Sequence, residues 1–153
     1  MSLWSQSIGG LILNFGMAEF LTLRCVELLC GEKEAISIRN QKLSMRITSA
    51  KKAIEGSVMA SEQKERALFL WSEIASLSEL RNRIAHNPLA VVWHAKTGQL
   101  VFSVVDLKRM TPNGKNQLDT LAYQEIAGAA IRISDMVQEL SQLIEPASDD
   151  LST

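Results

Sequence analysis

The apolar residues of this chain recur mostly every three to four positions, which is the period of an α-helix. Four segments with this spacing are predicted to be helices, over about residues 6–30, 38–55, 61–87 and 118–144. The first is apolar around most of its surface, so we expect it to contact neighbours on several sides, within a bundle or across a dimer. Gly31 follows it as the predicted C-cap.

Between the last two predicted helices the pattern changes to that of β-strands. Residues 91–94 and 100–105 are rich in β-branched and aromatic residues and flank a glycine turn, which predicts a two-stranded hairpin packed on the helices. The predicted fold class is therefore mainly all-α: a bundle of about four helices with a small β-hairpin inserted before the last helix. We expect residues 1–147 to form a single domain and residues 148–153 to be a flexible acidic tail.

Composition narrows the classes of function. The 153 residues are 46% hydrophobic and carry a net charge of −1, so the overall charge gives no argument for binding nucleic acid or a membrane. Charged residues interrupt the apolar stretch 8–30, which makes it a poor membrane span, and no positive side chain marks the N-terminus as a secretory signal. Cys25 and Cys30 fall on different faces of a helix, so we expect no disulfide, no metal framework and a reducing, cytoplasmic setting.

The strongest candidate for chemistry is the sequence RNRIAHNPL at residues 81–89, where the third predicted helix ends. Arg81 offers a planar fork for phosphate oxygens, and His86 offers an imidazole that can accept or donate a proton. Asn82 lies one turn before His86 on the same face, where it could orient the imidazole or bind a phosphate oxygen. Arg81 is about 140° from His86 around a helix with about 100° per residue, but its long side chain can bend back. Pro88 then stops the helix.

This arrangement resembles the motif of the HEPN superfamily: an arginine, four to six residues and a histidine, often with a polar residue directly after the arginine. Arg81, Asn82 and His86 supply that pattern. Beyond residues 81–89 the likeness is one of architecture. The resemblance implies a homodimer in which both copies of Arg81 and His86 form one composite site. It also implies a metal-independent endoribonuclease without a cofactor, in a stress, defence or toxin–antitoxin role with an antitoxin protein as a partner.

The residue types suit that reaction. The 2′-OH of RNA attacks the adjacent phosphorus, which requires a base, an acid for the leaving 5′-oxygen and cations around the developing phosphorane. A two-fold site would supply two imidazoles, one for each proton transfer. DNA lacks the 2′-OH and would not be cleaved in this way. The predicted catalytic residues are Arg81, His86 and Asn82.

Further cationic residues are candidates for contacts with the RNA backbone. Arg83 is one, on a different helix face from Arg81. A stripe at helical spacing provides the others, Arg39, Lys42 and Arg46. A solvated helix surface is the more common explanation of such charges.

Several interpretations remain open at this point. Glu19, an acid in an apolar helix, fits a place near the cleft, an internal pair with Arg24 or a half-exposed position. A non-catalytic dimer of the same fold could bind RNA, a nucleotide or a partner protein without turnover. A third alternative is an interaction protein whose apolar first helix builds an oligomer, with Arg81 and His86 pointing to solvent, away from any dimer axis.

Overall fold

The computed structural model of the chain describes residues 3–86, 89–110, 116–121 and 123–145. The described part is mainly α-helical, as predicted. Its elements in chain order are α1 (Leu3–Cys30), α2 (Glu32–Ile38), α3 (Leu43–Gly56), α4 (Ser61–His86), β1 (Leu89–His94), β2 (Gln99–Met110), β3 (Asn116–Leu121) and α5 (Tyr123–Ile144). The predicted tail at residues 148–153 lies outside the described residues.

Helix α1 is the centre of the packing, since it contacts all four other helices. Its apolar face and those of α3, α4 and α5 bury one hydrophobic cluster. Burial of apolar surface of this kind is the main favourable term in folding. The largest fully buried side chains are Trp71, Phe15, Leu11, Ile54, Leu70, Ile74, Ile126, Ile133, Leu140 and Ile144.

The limits of α1 and α4 agree closely with the sequence prediction. The backbone N–H of Gly31 donates to the Glu27 carbonyl at 2.9 Å, and Gly31 has a φ of 98°, so a glycine ends α1 as expected. Helix α4 begins at Ser61 and continues to His86. Asn87 and Pro88, the predicted stop, lie outside the described residues.

The predicted helix over residues 38–55 is wrong at its start. Residues 32–38, most of which lie outside any predicted helix, form α2, and a turn separates α2 from α3. Two acids, Glu32 and Glu34, lie in the first turn of α2, where the helix dipole favours negative charge. The backbone N–H of Gln41 then donates to the Ile38 carbonyl at 2.9 Å and closes the turn.

This break also corrects the predicted cationic stripe. Arg39 is the C-cap of α2, Lys42 is the N-cap of α3, and only Arg46 lies within α3. The three side chains therefore do not follow one another along a single helix.

Three antiparallel strands lie between α4 and α5, in the order β1-β2-β3. Leu89 pairs with Val104 in the β1–β2 ladder, and Phe102 pairs with Leu121 in the β2–β3 ladder. The predicted start of the last helix at residue 118 is therefore wrong, because β3 occupies residues 116–121 and α5 begins at Tyr123. Leu118 and Leu121 are three apart and fit a helical period, but backbone pairing with β2 determines their structure.

Two further predictions concern the apolar first helix. No helix in the described part of the chain has the length and apolar character to span a membrane. Cys25 is buried and Cys30 is exposed, so the two side chains lie on different faces of α1, as predicted.

Candidate functional site

A cleft of about 440 Å³ lies where α1, the start of α3 and the end of α4 meet. One residue of α1, three at the start of α3 and four of α4 line it: Glu19, Lys42, Leu43, Ser44, Ser78, Arg81, Asn82 and His86. All three predicted catalytic residues are among them. The structure thus brings together, within a single chain, the side chains selected from the motif.

The face of α4 that lines the cleft follows from helical spacing. Ser78, Asn82 and His86 are each four residues apart, so they lie above one another over two turns. Arg81 precedes Asn82 and lies on a neighbouring face of α4, but its side chain is long enough to reach the cleft. His86 is exposed in the last turn of α4.

The Arg81 guanidinium is held by two neighbours inside the protein. Its Nη1 donates to the amide oxygen of Asn82 at 3.0 Å, and its Nη2 donates to Oε1 of Glu19 at 3.2 Å. Asn82 therefore contacts the arginine of the motif. The Nη2 contact is also an ion pair, which fixes the guanidinium at the wall of the cleft.

Glu19 connects three helices. Its Oε1 binds Arg81 of α4, while its Oε2 accepts a hydrogen bond from Nη2 of Arg46 of α3 at 3.1 Å. The side chain of Arg46 is only 11% exposed, compared with 26% for Arg81 and 30% for Glu19. The pairing of Glu19 with Arg24 is wrong, because Arg24 binds Glu27 at 2.9 Å.

The charge around the cleft is unbalanced. Lys42, Arg46 and Arg81 bring three positive charges to this region, and Glu19 is the carboxylate that lies among them. The Nε atoms of Arg46 and Arg81 are buried and, within the described residues, have no hydrogen-bond partner. An excess of cationic donors in a partly enclosed cleft favours an anionic ligand.

The start of α3 adds to this preference. The first backbone N–H groups of a helix have no partner within the helix, and among the described residues no side chain caps this one. Leu43 and Ser44, the first two residues of α3, both line the cleft. The positive end of the helix dipole therefore lies on the same side as Arg81.

The other predicted RNA contacts are placed differently. Arg83 lines a separate groove between α4 and α5, together with Gln124, Glu125 and Arg132. Its position on another face from Arg81 is confirmed. Arg39 is exposed in the turn after α2 and does not line the cleft, whereas Lys42 does.

Sequence reasoning missed Ser44 and Ser78 and left Glu19 undecided. A signal for Ser78 was present, since it continues the four-residue spacing of Asn82 and His86. For Ser44 there was no signal, because a single continuous helix over residues 38–55 does not predict that its position lines a cleft. For Glu19 the only signal was a charge in an apolar helix.

The described residues contain no group of three or more His, Cys, Asp or Glu side chains that could hold a metal ion. The polar groups that line the cleft are an imidazole, a guanidinium, an ammonium group, a carboxylate, an amide and two hydroxyls.

No family model matches the chain, and neither a curated protein nor a solved structure matches it.

Proposed function

We propose that the protein is a HEPN-like, metal-independent endoribonuclease that cleaves RNA by attack of the 2′-OH on the adjacent phosphorus. One observation carries this proposal: Arg81, Asn82 and His86 line a single cleft with an excess of positive charge. The reaction requires a site for an anionic phosphate and a side chain that can transfer protons.

The side chains would divide the work as follows. His86 transfers protons, as the base for the 2′-OH or as the acid for the 5′-oxygen. Arg81 stabilises the charge on the phosphorane oxygens, and Asn82, which holds Nη1 of Arg81, orients the guanidinium. Lys42 contacts a flanking phosphate.

A homodimer would complete the site, because one cleft contains one imidazole and the reaction involves two proton transfers. Exposed apolar residues on α1 support self-association. Leu13, Met17 and Phe20 follow helical spacing, and each is about half exposed or more. In a sedimentation experiment the wild-type protein should have the mass of a dimer. Phe20→Lys should shift the equilibrium towards the monomer and lower the rate of RNA cleavage.

The test of the nuclease is cleavage of a mixed RNA in the presence of EDTA. The wild-type protein should produce fragments with 2′,3′-cyclic phosphate and 5′-hydroxyl ends. His86→Ala should lower the rate at least about 100-fold, which is the usual contribution of a general acid or base. His94→Ala, at the only other histidine, is the matched control and should retain the activity. Equal cleavage by the wild type and His86→Ala would disprove the mechanism.

The biological role follows from the same resemblance and belongs to the proposal: a cytoplasmic stress, defence or toxin–antitoxin function with an antitoxin protein as a partner. Expression of the wild type in a bacterium should then arrest growth, whereas His86→Ala should not. Growth inhibition by both proteins would contradict a toxin that acts through its nuclease site.

A second candidate is a dimer of the same fold that binds RNA, a nucleotide or a partner protein without turnover. One observation favours it: both Nη atoms of Arg81 already have partners within the chain. In this case RNA would bind and remain uncut, and Arg81→Ala would abolish the binding. Cleavage that depends on His86 would exclude it.

A further inference from the structure

The Glu19 carboxylate lies where a ligand of the cleft would be expected to place its negative charge. It lines the cleft, and its Oε1 accepts a hydrogen bond from Arg81, the cation that also lines it. A phosphate oxygen and a carboxylate oxygen seek the same guanidinium donors. A phosphate that reaches Arg81 therefore meets a carboxylate already bound there.

The two oxygens of Glu19 do not have equal surroundings. Oε2 binds Arg46, whose side chain is 11% exposed, while Oε1 binds Arg81, whose side chain is 26% exposed. Arg46 is absent from the lining of the cleft, whereas Arg81 is part of it. The contact with Arg46 can therefore persist when the contact with Arg81 is exchanged.

We infer that Glu19 is an internal competitor for the anion site of the cleft. A backbone phosphate of a polynucleotide displaces Oε1 from Arg81, while Oε2 remains on Arg46 and keeps the carboxylate in place. Glu19 thus lowers the affinity for phosphate and limits binding to ligands that also gain contacts with Lys42 and the start of α3. Arg46 is then an anchor for Glu19 and does not bind RNA directly.

This inference rests on the proposed function only for the class of ligand, a polynucleotide with backbone phosphates. Its test therefore uses binding without cleavage. A fluorescein-labelled single-stranded DNA oligonucleotide carries the phosphates but has no 2′-OH to attack. Fluorescence anisotropy at fixed ionic strength gives the dissociation constant for each variant.

The decisive comparison is between two acids of α1. Glu19→Gln removes the competitor, while Glu27→Gln removes an equal charge from the same helix at a surface pair with Arg24, outside the cleft. We expect Glu19→Gln to bind the oligonucleotide about fivefold more tightly than the wild type, the scale of one partly exposed ion pair. Glu27→Gln should stay within about twofold of the wild type, because its change acts only through the screened net charge.

A melting experiment separates free phosphate from the polymer and keeps the test valid if the variant is unstable. A ligand that binds the folded state raises the melting temperature. Inorganic phosphate, compared with chloride at equal ionic strength, should raise the melting temperature of Glu19→Gln more than that of the wild type or Glu27→Gln. A response to the oligonucleotide without one to inorganic phosphate would show that the site requires the polymer, and would still support the competition.

Several results would overturn the inference. The first is that Glu19→Gln and Glu27→Gln raise the affinity for the oligonucleotide equally. The second is that Glu19→Gln leaves this affinity unchanged or lowers it. The others are that no form of the protein binds the oligonucleotide, or that Glu19→Gln is unfolded in both salts. Failure here is distinct from failure of the nuclease proposal. Tightening by Glu19→Gln without RNA cleavage by any variant leaves the competition intact and rejects the nuclease. His86-dependent cleavage without tightening does the reverse.

Discussion

Glu19 and Arg81 are 62 positions apart in the chain, and Nη2 of Arg81 lies 3.2 Å from Oε1 of Glu19. The pair links the middle of α1 to the last part of α4 beside the cleft. With side chains about 30% and 26% exposed, it is better shielded from water than an ordinary surface ion pair. Its contribution to stability can be compared with that of a second pair on the same helix.

We predict that a double-mutant cycle of Glu19→Gln and Arg81→Gln gives a coupling energy of about 1 kcal/mol. The matched cycle of Arg24→Gln and Glu27→Gln should give only about 0.3 kcal/mol, because that pair spans three residues of α1 and is 39% and 42% exposed. Urea denaturation of the single and double variants provides both values. Equal coupling in the two cycles would show that the cleft does not shield its ion pair.

The Cys25 thiol should make stability sensitive to alkaline pH. Burial, with a smaller contribution from Cys30, raises its pKa to about 12, whereas an unfolded thiol titrates near about 8.5. The folded-state pKa is the higher of the two. The protonated thiol therefore makes its full contribution to stability below the unfolded-state pKa, and this contribution is lost as pH rises towards 12. The free energy of unfolding should therefore fall, relative to Cys25→Ala, by up to about 1.4 kcal/mol per pH unit above about pH 9.

Urea denaturation between about pH 8 and pH 10.5 measures this difference. Cys30→Ala is the control, because Cys30 is exposed and its removal should leave the pH dependence nearly unchanged. Parallel pH profiles for the wild type and Cys25→Ala would contradict the prediction.

Gly31 should tolerate alanine poorly for reasons of backbone conformation alone. Its φ of 98° lies in the region that L side chains rarely adopt, yet a Cβ there would have no neighbour within 4 Å. Gly31→Ala should lower the free energy of unfolding by about 1–2 kcal/mol. Gly56→Ala is the matched control, since that glycine ends α3 without a positive φ and is equally open. It should be neutral or stabilising by up to about 1 kcal/mol, and an equal loss in both variants would contradict a conformational cause.

Trp71 is the largest side chain in the core and is fully buried. Trp71→Ala should lower the free energy of unfolding by about 3–5 kcal/mol, because it removes apolar contacts and leaves a cavity. Phe69→Ala, on the same helix but 53% exposed, should cost only about 1 kcal/mol, mainly through the contact of its ring with the Arg66 guanidinium at 5.4 Å. Chemical denaturation measures the free energy of unfolding of each variant. Similar losses in the two variants would show that Trp71 is not tightly packed in the core.

The sequence predicts those elements whose local signals agree. The apolar spacing predicts a helix over residues 61–87, and the observed bounds of α4, Ser61–His86, agree with it. The break between α2 and α3 carries neither glycine nor proline, so a continuous helix was the simpler interpretation. For residues 118–121 the leucine spacing is that of a helix. These residues form a strand because they pair with β2, and such tertiary pairing cannot be seen in the local sequence.

The same distinction applies to the site. The positions of Asn82 and His86 on one face follow from their spacing along a helix, and Arg81 reaches that face through the length of its side chain. The partners of Glu19 could not be predicted, because they lie 27 and 62 residues away on two other helices. These contacts depend on how α1, α3 and α4 pack together, and the local sequence pattern of each helix does not determine that packing.

The central position of α1 has a consequence for folding intermediates. The motif on α4 is present as soon as that helix forms, but the cleft needs α1 and the start of α3 as its other walls. A compact state with native helix content and undocked helices would therefore carry Arg81 and His86 without an anion site. Ligand affinity, unlike far-ultraviolet circular dichroism, would report the docking of α1 and α3 against α4.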